Sequence, residues 1–430
     1  MRVAVLGAGV IGVTTAYELA RDGHQVTVID RLPEAAAETS FANAGLIAPG
    51  HAYTWSSPRA PRILLRSLFD DSQALRFRPS LDPRLWSWSW KFLMNCTAEK
   101  ARSNTKRKVQ LCLYSQERLK GLISETGVDY HAVEGGLLYL YRKPESFARG
   151  SANTRILTEE GLELRAIDAN EAARTDPALE PVREKLAGAI YCPSDASGDA
   201  RLFTQNLARI CADQLGVRFI FNTAIVDFES SGSRITGVKT SDGVVQADEF
   251  VLCLGVFAPD FARKLGVTMP VYPIKGYSVT MPIGGRNNAP SIGGVDEDNL
   301  VAYARFGDRL RVTATAEFAG FDKSHKPDDF RHMLGAIQDI FPNGADYSKP
   351  QYWAGLRPMT PEGTPIFGHG GHYTNMVFNV GHGHMGWTMS AGSARITADI
   401  VKRAKPDFDP TGMLIQQSRS LFASLQHAFH

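Results

Sequence analysis

Apolar residues near the start of the chain form two short runs. Residues 3–6 are continuously apolar, as in a strand that is buried on both faces of a parallel sheet. A helical pattern follows and ends at Asp22-Gly23, because glycine commonly terminates a helix. A second apolar run, residues 26–29, ends in Asp30. The pattern predicts a strand, a turn, a helix, a second strand and an acidic residue.

The predicted turn carries Gly7, Gly9 and Gly12 in G-x-G-x-x-G spacing. In a dinucleotide site the first glycine makes the tight turn, the second admits the pyrophosphate, and the third lets helix and strand pack closely. The helix start supplies N–H groups to the phosphates, and Asp30 can accept hydrogen bonds from a ribose. The segment therefore indicates dinucleotide binding, with NAD and FAD both open.

Two further segments favour FAD. Residues 38–45 are small or hydroxyl residues that allow backbone to approach a ligand, and residues 381–388 are a second glycine-rich helix start. A helix N-terminus can stabilise the negative charge of a reduced flavin. The alternatives for the late segment are an ordinary glycine-rich connection and a metal site formed by histidines. The metal site is disfavoured because these histidines lack i, i+4 spacing and a nearby cysteine; they are His369, His372, His382 and His384.

Other periodic segments predict the remaining elements. Residues 109–123 have apolar positions at helical spacing, and Lys106, Arg107 and Lys108 before them are expected to be solvent-exposed. Strands are predicted at residues 135–141, 217–221, 249–254 and 309–316.

Composition narrows the class of protein. The 430 residues include 47 Lys and Arg against 45 Asp and Glu, a net charge of +2, which disfavours nucleic acid as a partner. At roughly 150 residues per domain, two or three domains are expected. The five cysteines lack C-x-x-C spacing, which fits a reducing, cytoplasmic compartment without a disulfide framework. No apolar stretch reaches the roughly 20 residues of a membrane-spanning helix, so none is expected.

Five long motifs, in order along nearly the whole chain, resemble those of bacterial D-amino-acid dehydrogenases, within the D-amino-acid oxidase and glycine oxidase superfamily. The motifs are V-L-G-A-G-V-I-G at 5–12, E-T-S-F-A-N-A-G at 38–45, Y-P-I-K-G-Y-S at 272–278, W-A-G-L-R-P-M-T-P-E-G-T-P at 353–365 and G-H-G-H-M-G-W-T at 381–388. The resemblance is less specific for the substrate, because hydroxyproline dehydrogenases and other secondary-amine enzymes share much of this pattern.

The resemblance implies an enzyme with non-covalent FAD that oxidises a D-amino acid. A small neutral substrate such as D-alanine would lose a hydride from Cα to flavin N5, and water would convert the imino acid to a 2-oxo acid and ammonium. Electrons would pass to a quinone or other acceptor. The alternative is a D-hydroxyproline or other secondary-amine dehydrogenase or oxidase.

The implied fold combines α/β and α+β classes. A Rossmann-like FAD-binding domain would comprise residues 1–55, 195–262 and 350–430. It would interleave with a mixed-sheet substrate-binding domain of residues 56–194 and 263–349.

Site residues are carried over from the resemblance and from the motifs. The expected FAD contacts are Val3, Gly7, Ala8, Gly9, Val10, Ile11, Gly12, Asp30, Arg31, Thr39, Ser40, Asn43, Ala44, Gly45, Leu46, Ile225, Gly255, Gly383, His384, Met385, Gly386, Trp387 and Thr388.

The resemblance gives Arg357 the substrate carboxylate, and its position between Gly355-Leu356 and Pro358 suggests a stiff loop. Arg suits this role because its planar fork forms two parallel hydrogen bonds. Further candidates for the pocket are Tyr277, Tyr303, Arg305, His51 and Tyr53. Lys275 could meet the flavin or a carboxylate, or be solvated. No side chain is expected to act as acid, base or nucleophile, since the flavin carries the chemistry.

An aromatic and basic segment lies between residues 55 and 94. Apolar anchors with interspersed cations are typical of an interfacial membrane segment, and docking on the inner face of the cell membrane would suit a quinone acceptor. The alternative is that the aromatics cover the active site or pack between domains. The residues are Trp55, Ile63, Leu64, Leu65, Leu68, Phe69, Trp86, Trp88, Trp90, Phe92, Leu93 and Met94, with Arg62, Arg66, Arg84 and Lys91.

Overall fold

The computed structural model describes residues 1–67, 75–78, 80–286 and 288–415. Leu68 and Phe69 of the aromatic segment lie outside the described residues, as do residues 416–430 of the predicted FAD-binding domain.

The strands of the described chain are β1 (Arg2–Leu6), β2 (Gln25–Ile29), β3 (Leu46–Ile47), β4 (Leu75–Phe77), β5 (Val133–Glu134), β6 (Leu137–Tyr141), β7 (Arg165–Ile167), β8 (Gly188–Cys192), β9 (Ala196–Ser197), β10 (Arg218–Ile220), β11 (Ile225–Ser231), β12 (Arg234–Thr240), β13 (Gly243–Gln246), β14 (Glu249–Leu252), β15 (Tyr272–Pro282), β16 (Gly293–Asp296), β17 (Val301–Phe306), β18 (Arg309–Phe318), β19 (Gln351–Met359), β20 (Ile366–His369) and β21 (Met376–Val380).

The α-helices are α1 (Val10–Arg21), α2 (Ala60–Ser67), α3 (Pro83–Asn95), α4 (Ala98–Thr126), α5 (Pro144–Asn153), α6 (Arg155–Thr158), α7 (Ala169–Thr175), α8 (Ala200–Leu215), α9 (Ala258–Lys264), α10 (Arg331–Ile340) and α11 (Gly386–Val401). Short 3₁₀ helices cover Pro49–His51, Pro177–Lys185, Gly255–Phe257, Pro327–Phe330 and Gly383–Met385.

The first sheet has the strand order β10-β2-β1-β14-β21-β20 and is parallel except for β20. Alternation along β1 sends Val3 and Val5 into a core with α1, α4, α8 and α11. Ala4 and Leu6 point to the other face, where β12 and α9 cover the sheet. Burial on both faces explains the continuous apolar run of residues 3–6 and confirms the Rossmann-like prediction.

The second sheet is mixed and has the order β19-β15-β18-β17-β16-β6-β8-β7, with β4 pairing to β18. One face packs on α10, where Tyr277 and Tyr303 share a core with Phe330 and Phe341. The opposite face looks toward the first sheet, and the site lies between the two.

The predicted domain boundaries differ from the structure at two places. Strand β19, assigned to the flavin-binding part by the boundary at 350, pairs along its length with β15 in the second sheet. Helix α4, assigned to the substrate-binding part, spans both: Leu119 and Leu122 lie in the core of the first sheet, whereas Val109, Leu111 and Cys112 share a core with β6. Sheet pairing and shared core decide these memberships, and neither is visible in local sequence.

The predicted elements recur within a few residues of their expected bounds. Helix α1 ends at Arg21, and residues 109–123 lie inside the longer α4. Lys108 contradicts its predicted exposure: it is 1% exposed, because it faces inward from α4.

Helices α2 and α3 form an outer layer over the second sheet. The inner face of α3 buries Leu85, Trp88 and Phe92 against Ile274 and Phe318. The outer faces expose Ile63, Leu65, Trp86, Trp90, Leu93 and Met94. Within the described ranges, no helix combines the length and apolarity that a bilayer crossing requires.

Candidate active site

A cavity of about 760 Å³ runs between the two sheets. At one end it reaches the turn between β1 and α1, and at the other it reaches β15, β18 and β19. The middle is lined by residues 37–46 and by the start of α11. The glycine-rich segments from both ends of the sequence therefore lie on one continuous space.

The dinucleotide end is built from the carboxyl edge of the parallel sheet. Gly7 has φ of 107°, a conformation that favours glycine, and Asp30 accepts a hydrogen bond from Ala8 N at 2.7 Å. Burial raises the pKa of Asp30, although backbone N–H groups oppose the shift. Val10 N donates to Ser40 Oγ at 3.1 Å, which ties the helix start to the small-residue segment.

Three predicted contacts do not line this cavity: Val3, Ala8 and Gly12. Val3 lies in the core of the first sheet. Gly12 lies behind the turn and packs directly against it, since a Cβ atom there would lie 1.9 Å from the carbonyl oxygen of Gly7. This close packing of helix on turn is the role that the motif predicts for its third glycine.

The remaining predicted FAD contacts all line the cavity. They are Gly7, Gly9, Val10, Ile11, Asp30, Arg31, Thr39, Ser40, Asn43, Ala44, Gly45, Leu46, Ile225, Gly255, Gly383, His384, Met385, Gly386, Trp387 and Thr388.

The start of α11 brings the late glycine-rich segment to the cavity wall. The helix has no side-chain cap, so its first N–H groups are available to a ligand. The ring nitrogens His384 Nε2 and Trp387 Nε1 are buried without a hydrogen-bond partner among the described residues. Unpaired buried polar nitrogens beside a cavity fit a polar ring such as isoalloxazine.

Arg357 lies on strand β19 and not in the predicted loop. Its Nη1 donates to the carbonyl oxygen of Thr315 at 2.8 Å, and no acidic partner is found for it in the described part of the chain. Gly276 on the neighbouring strand makes room, since a Cβ there would lie 2.4 Å from the guanidinium carbon. Burial lowers the pKa of Arg357 to about 10, so the guanidinium remains charged at neutral pH.

Two predicted pocket residues lie away from the cavity: Tyr303 and Arg305. Tyr303 points to the opposite face of the second sheet and packs on Phe341. Alternation puts Ala302 on the cavity side instead. Arg305 Nε donates to the carbonyl oxygen of Gly307, two residues along the chain.

His51 and Tyr53 line the cavity as expected. Tyr277 borders the cavity, but its ring packs against Phe330 in the core on the α10 face. The Tyr277 hydroxyl donates to Glu317, which also pairs with Arg78. Lys275 is buried, is not among the residues that line the cavity, and donates to the carbonyl oxygen of Ser324.

His51 forms an ion pair with Glu297, with 2.9 Å between Nε2 and Oε1. Burial disfavours charge on His51, but the Glu297 carboxylate outweighs it and raises the pKa of the imidazole. Glu297 was missed by sequence reasoning because only tertiary structure brings it to His51. Gly276 could have been found, since an isolated glycine in a strand often marks close approach.

Three of the four late histidines make different contacts in the structure. His382 Nε2 lies 3.0 Å from Ser393 Oγ, and His384 stacks on Trp55 with ring centroids 4.9 Å apart. His372 is exposed, next to Tyr373. Within the described ranges, no group of three or more His, Cys, Asp or Glu residues is placed to hold a metal ion.

Residues 2–400 match the family model described as DAO, FAD dependent oxidoreductase. A relative from Mesorhizobium japonicum named D-amino acid dehydrogenase 2 is 42% identical over 96% of this chain and 99% of its own. D-amino acid dehydrogenases from Agrobacterium fabrum and Methylobacterium radiotolerans are 42% and 44% identical, over 97% and 95% of this chain and 99% and 97% of their own.

Solved structures share the fold at low identity. Glycine oxidase from Geobacillus kaustophilus superposes with a TM-score of 0.72 at 23% identity, covering 96% of this chain and 98% of that one. L-proline dehydrogenase from P. horikoshii gives 0.72 at 18% identity, covering 94% of each chain.

Proposed function

This chain belongs to the family of FAD-dependent oxidoreductases named DAO, and from that membership we propose that it is a D-amino-acid dehydrogenase. Its reaction would convert a D-amino acid to an imino acid, which water hydrolyses to a 2-oxo acid and ammonium. The protein is an enzyme that uses FAD. The proposal concerns the substrate that it oxidises, the stereochemistry of that substrate and the electron acceptor.

The cavity residues fit FAD. The turn at Gly7 to Gly9 and the start of α1 would hold the pyrophosphate, and Asp30 would accept from the ribose. The unpaired nitrogens of His384 and Trp387 and the uncapped start of α11 would face the isoalloxazine ring. Bound FAD supplies a hydride acceptor, and the chain supplies orientation and charge.

Arg357 is the observation that carries the proposal. A buried cation without an acidic partner is costly unless a ligand supplies the anion. Its guanidinium lines the cavity on the side opposite the dinucleotide turn, so a substrate carboxylate would be its counter-ion. A bidentate contact would fix the Cα–H bond relative to the flavin.

We propose small neutral amino acids, such as D-alanine, as substrates. The cavity lining at this end is mainly apolar and includes Ala60, Leu64, Leu75, Phe92 and Phe318. A charged substrate side chain would be buried there without a partner, at a cost of several kcal/mol.

A substrate panel tests the proposal. Purified holoenzyme is assayed by dye reduction with paired D- and L-amino acids, sarcosine, D-proline and hydroxyproline. We expect turnover with D-alanine and other neutral D-amino acids, and little with their L-forms. Turnover confined to the cyclic or N-methyl substrates would overturn the proposal in favour of a secondary-amine dehydrogenase.

For the acceptor, we propose a quinone reached at the inner face of the cell membrane, where the enzyme would dock from the cytoplasm. The support is the outer face of α2 and α3, where Trp90 is 65% exposed and Leu93 43% exposed. Arg62 and Lys91 are exposed on the same helices and would meet anionic lipid headgroups. Ile63 both lines the cavity and is exposed, so the cavity reaches this surface.

Co-sedimentation with phosphatidylglycerol vesicles tests the docking. The double variant Trp90→Glu, Leu93→Glu should lose vesicle binding and keep dye-linked activity. Val226→Glu is the matched control, because Val226 is an exposed apolar residue on β11. Recovery of the unaltered protein only in the supernatant at low salt would contradict docking.

A further inference from the structure

Resting on the proposed function, we propose that His51, held by Glu297, accepts the proton of the substrate ammonium before the Cα–H bond breaks. This gives the chain a proton acceptor of its own, in contrast to the expectation that no side chain acts as acid or base.

The chemistry requires such an acceptor. An amino acid arrives mainly as the ammonium form at neutral pH, and an ammonium nitrogen has no lone pair. One proton must leave nitrogen first. The lone pair can then form the C=N bond as the Cα–H bond breaks, and bound FAD would supply the acceptor for the hydride. Water attacks the iminium carbon, and the 2-oxo acid and ammonium are released.

His51 is placed to take that proton. It ends the 3₁₀ helix Pro49–His51, just after the small-residue segment, and its side chain is 34% exposed into the cavity. Because a carboxylate only accepts, the contact with Glu297 assigns the imidazole proton to Nε2. The lone pair of neutral His51 is therefore on Nδ1, the basic atom.

The ring is fixed by a set of buried contacts. His51 stacks on Tyr139, with centroids 5.3 Å apart and an interplanar angle of 18°. The Tyr139 hydroxyl donates to Asp195 Oδ2 at 2.5 Å, and Asp195 also accepts from Gly50 N at 3.1 Å. Asp195 thus holds both the residue before His51 and the ring beneath it.

Charge at this end of the cavity matches an amino-acid zwitterion. Arg357 supplies a cation for the carboxylate, and Glu297 supplies an anion beside His51. His384 also lines the cavity, and burial together with the positive charges of Lys108, His51 and Arg357 holds its pKa far below the ordinary value. His51, His384 and Arg357 all line this cavity.

The groups that face His51 set its protonation. Burial and the Lys108 ammonium lower its pKa, whereas Glu297 and Asp195 raise it, and the net shift is upward. Tyr139, Tyr53 and His384 complete the surroundings, and all three are neutral at physiological pH. Since His51 accepts a proton only when neutral, turnover should fall as the pH drops below a value higher than about 6.5, its ordinary pKa.

The pH dependence of kcat with D-alanine tests this role. For His51→Gln we expect a loss of roughly 10²- to 10⁴-fold at pH 7, the usual contribution of a general base. The variant should recover steadily with rising pH, toward the pKa of the substrate amine, whereas the unaltered enzyme reaches a plateau.

Glu297→Gln is the second variant. It keeps a hydrogen-bond acceptor for Nε2 but removes the charge that raises the pKa of His51, so the acid limb of the profile should move to lower pH. His372→Gln is the matched control, because His372 is exposed and outside the cavity lining. Its profile should equal that of the unaltered enzyme.

Binding of propionate, a carboxylate without an amine, supplies a readout independent of turnover. Perturbation of the flavin absorbance should give the same Kd in His51→Gln as in the unaltered enzyme, and a much weaker Kd in Arg357→Ala. If His51→Gln and Glu297→Gln both keep the original pH profile while D-alanine is oxidised, the inference is overturned. Absence of D-amino-acid oxidation by the flavin-loaded unaltered enzyme would instead overturn the proposed function.

Discussion

Arg357 illustrates how a single side chain is tuned by its surroundings. The strand holds its backbone, Gly276 leaves space for the guanidinium, and the carbonyl oxygen of Thr315 takes one of its five N–H donors. The other donors lie in a buried space without an acid in the described part of the chain. The Arg357 guanidinium is therefore placed to bind an anion. It stays positively charged, since its pKa of about 10 exceeds any physiological pH.

Replacing Arg357 should lower kcat/KM, because the substrate carboxylate would lose its cationic partner. Each hydrogen bond to a charged group is worth about 1.5 to 3 kcal/mol, so Arg357→Ala should lose roughly 10²- to 10⁴-fold in kcat/KM. Arg357→Lys should recover only part, because a point charge cannot make the bidentate contact. Added methylguanidinium should partly restore the Ala variant in steady-state assays. Near-normal kcat/KM in Arg357→Ala with full flavin content would contradict the assignment.

At the scale of elements, two helix starts line the cavity that we propose as the cofactor site. Helices α1 and α11 both begin at glycine-rich turns without side-chain caps, and both starts line one cavity. Val10 N of α1 donates to Ser40 Oγ, and we expect the other N–H groups at the two helix starts to bind the cofactor. The turn before α1 depends on a close approach, because Gly12 packs against the carbonyl of Gly7.

Gly12→Ala should therefore lower the stability of the fold and weaken the cofactor site at the start of α1. The new methyl group meets backbone, so the turn must shift, and we expect a loss of about 1 to 3 kcal/mol together with weaker FAD binding. Gly121→Ala in α4 is the matched control: no atom lies within 4 Å of the added Cβ, and stability should rise by about 0.5 to 1 kcal/mol. Urea unfolding and flavin absorbance measure both effects, and equal behaviour of the two variants would refute the packing argument.

At the scale of the whole molecule, an ion-pair network joins helices that are far apart in the sequence. Arg395 on α11 pairs with Glu18 at 2.7 Å and Asp22 at 2.6 Å, both on or next to α1. Burial disfavours its charge, but these carboxylates and Asp399 raise the pKa of Arg395 above its ordinary value. The network ties the second half of α11 to the C-terminal end of α1, and the first residues of both helices line the cavity.

Arg395→Met should destabilise the fold, because Glu18 and Asp22 would lose their central cation. Breaking a buried pair costs about 3 to 5 kcal/mol, and the nearby Arg118 and Lys402 place the expectation near the lower bound. The measurement is the free energy of unfolding in urea. Arg155→Ala is the control, since that side chain is 82% exposed and its loss should cost about 0.5 kcal/mol or less. Comparable losses in both variants would show that the network contributes little.

The local sequence pattern was sufficient to predict much of the fold. The apolar run of β1, the glycine turn and Asp30 required only neighbouring residues, and the structure has them as predicted. Lys108 was misjudged because its two cationic neighbours suggested a solvated face, whereas its ammonium donates to the carbonyl oxygen of Tyr53 inside the protein. Tyr303 was misplaced because strand alternation gives two faces, and the sequence does not state which face meets the cavity.

The amino-acid sequence by itself determined the dinucleotide unit, the second glycine-rich helix start and the family resemblance, because each rests on short-range spacing. Tertiary structure alone decided that β19 joins the second sheet, that α4 packs against both sheets, that Gly276 accommodates Arg357, and that Glu297 reaches His51. These pairings join residues separated by tens to hundreds of positions. They follow from strand register and from which faces are buried, and both are properties of the assembled sheets.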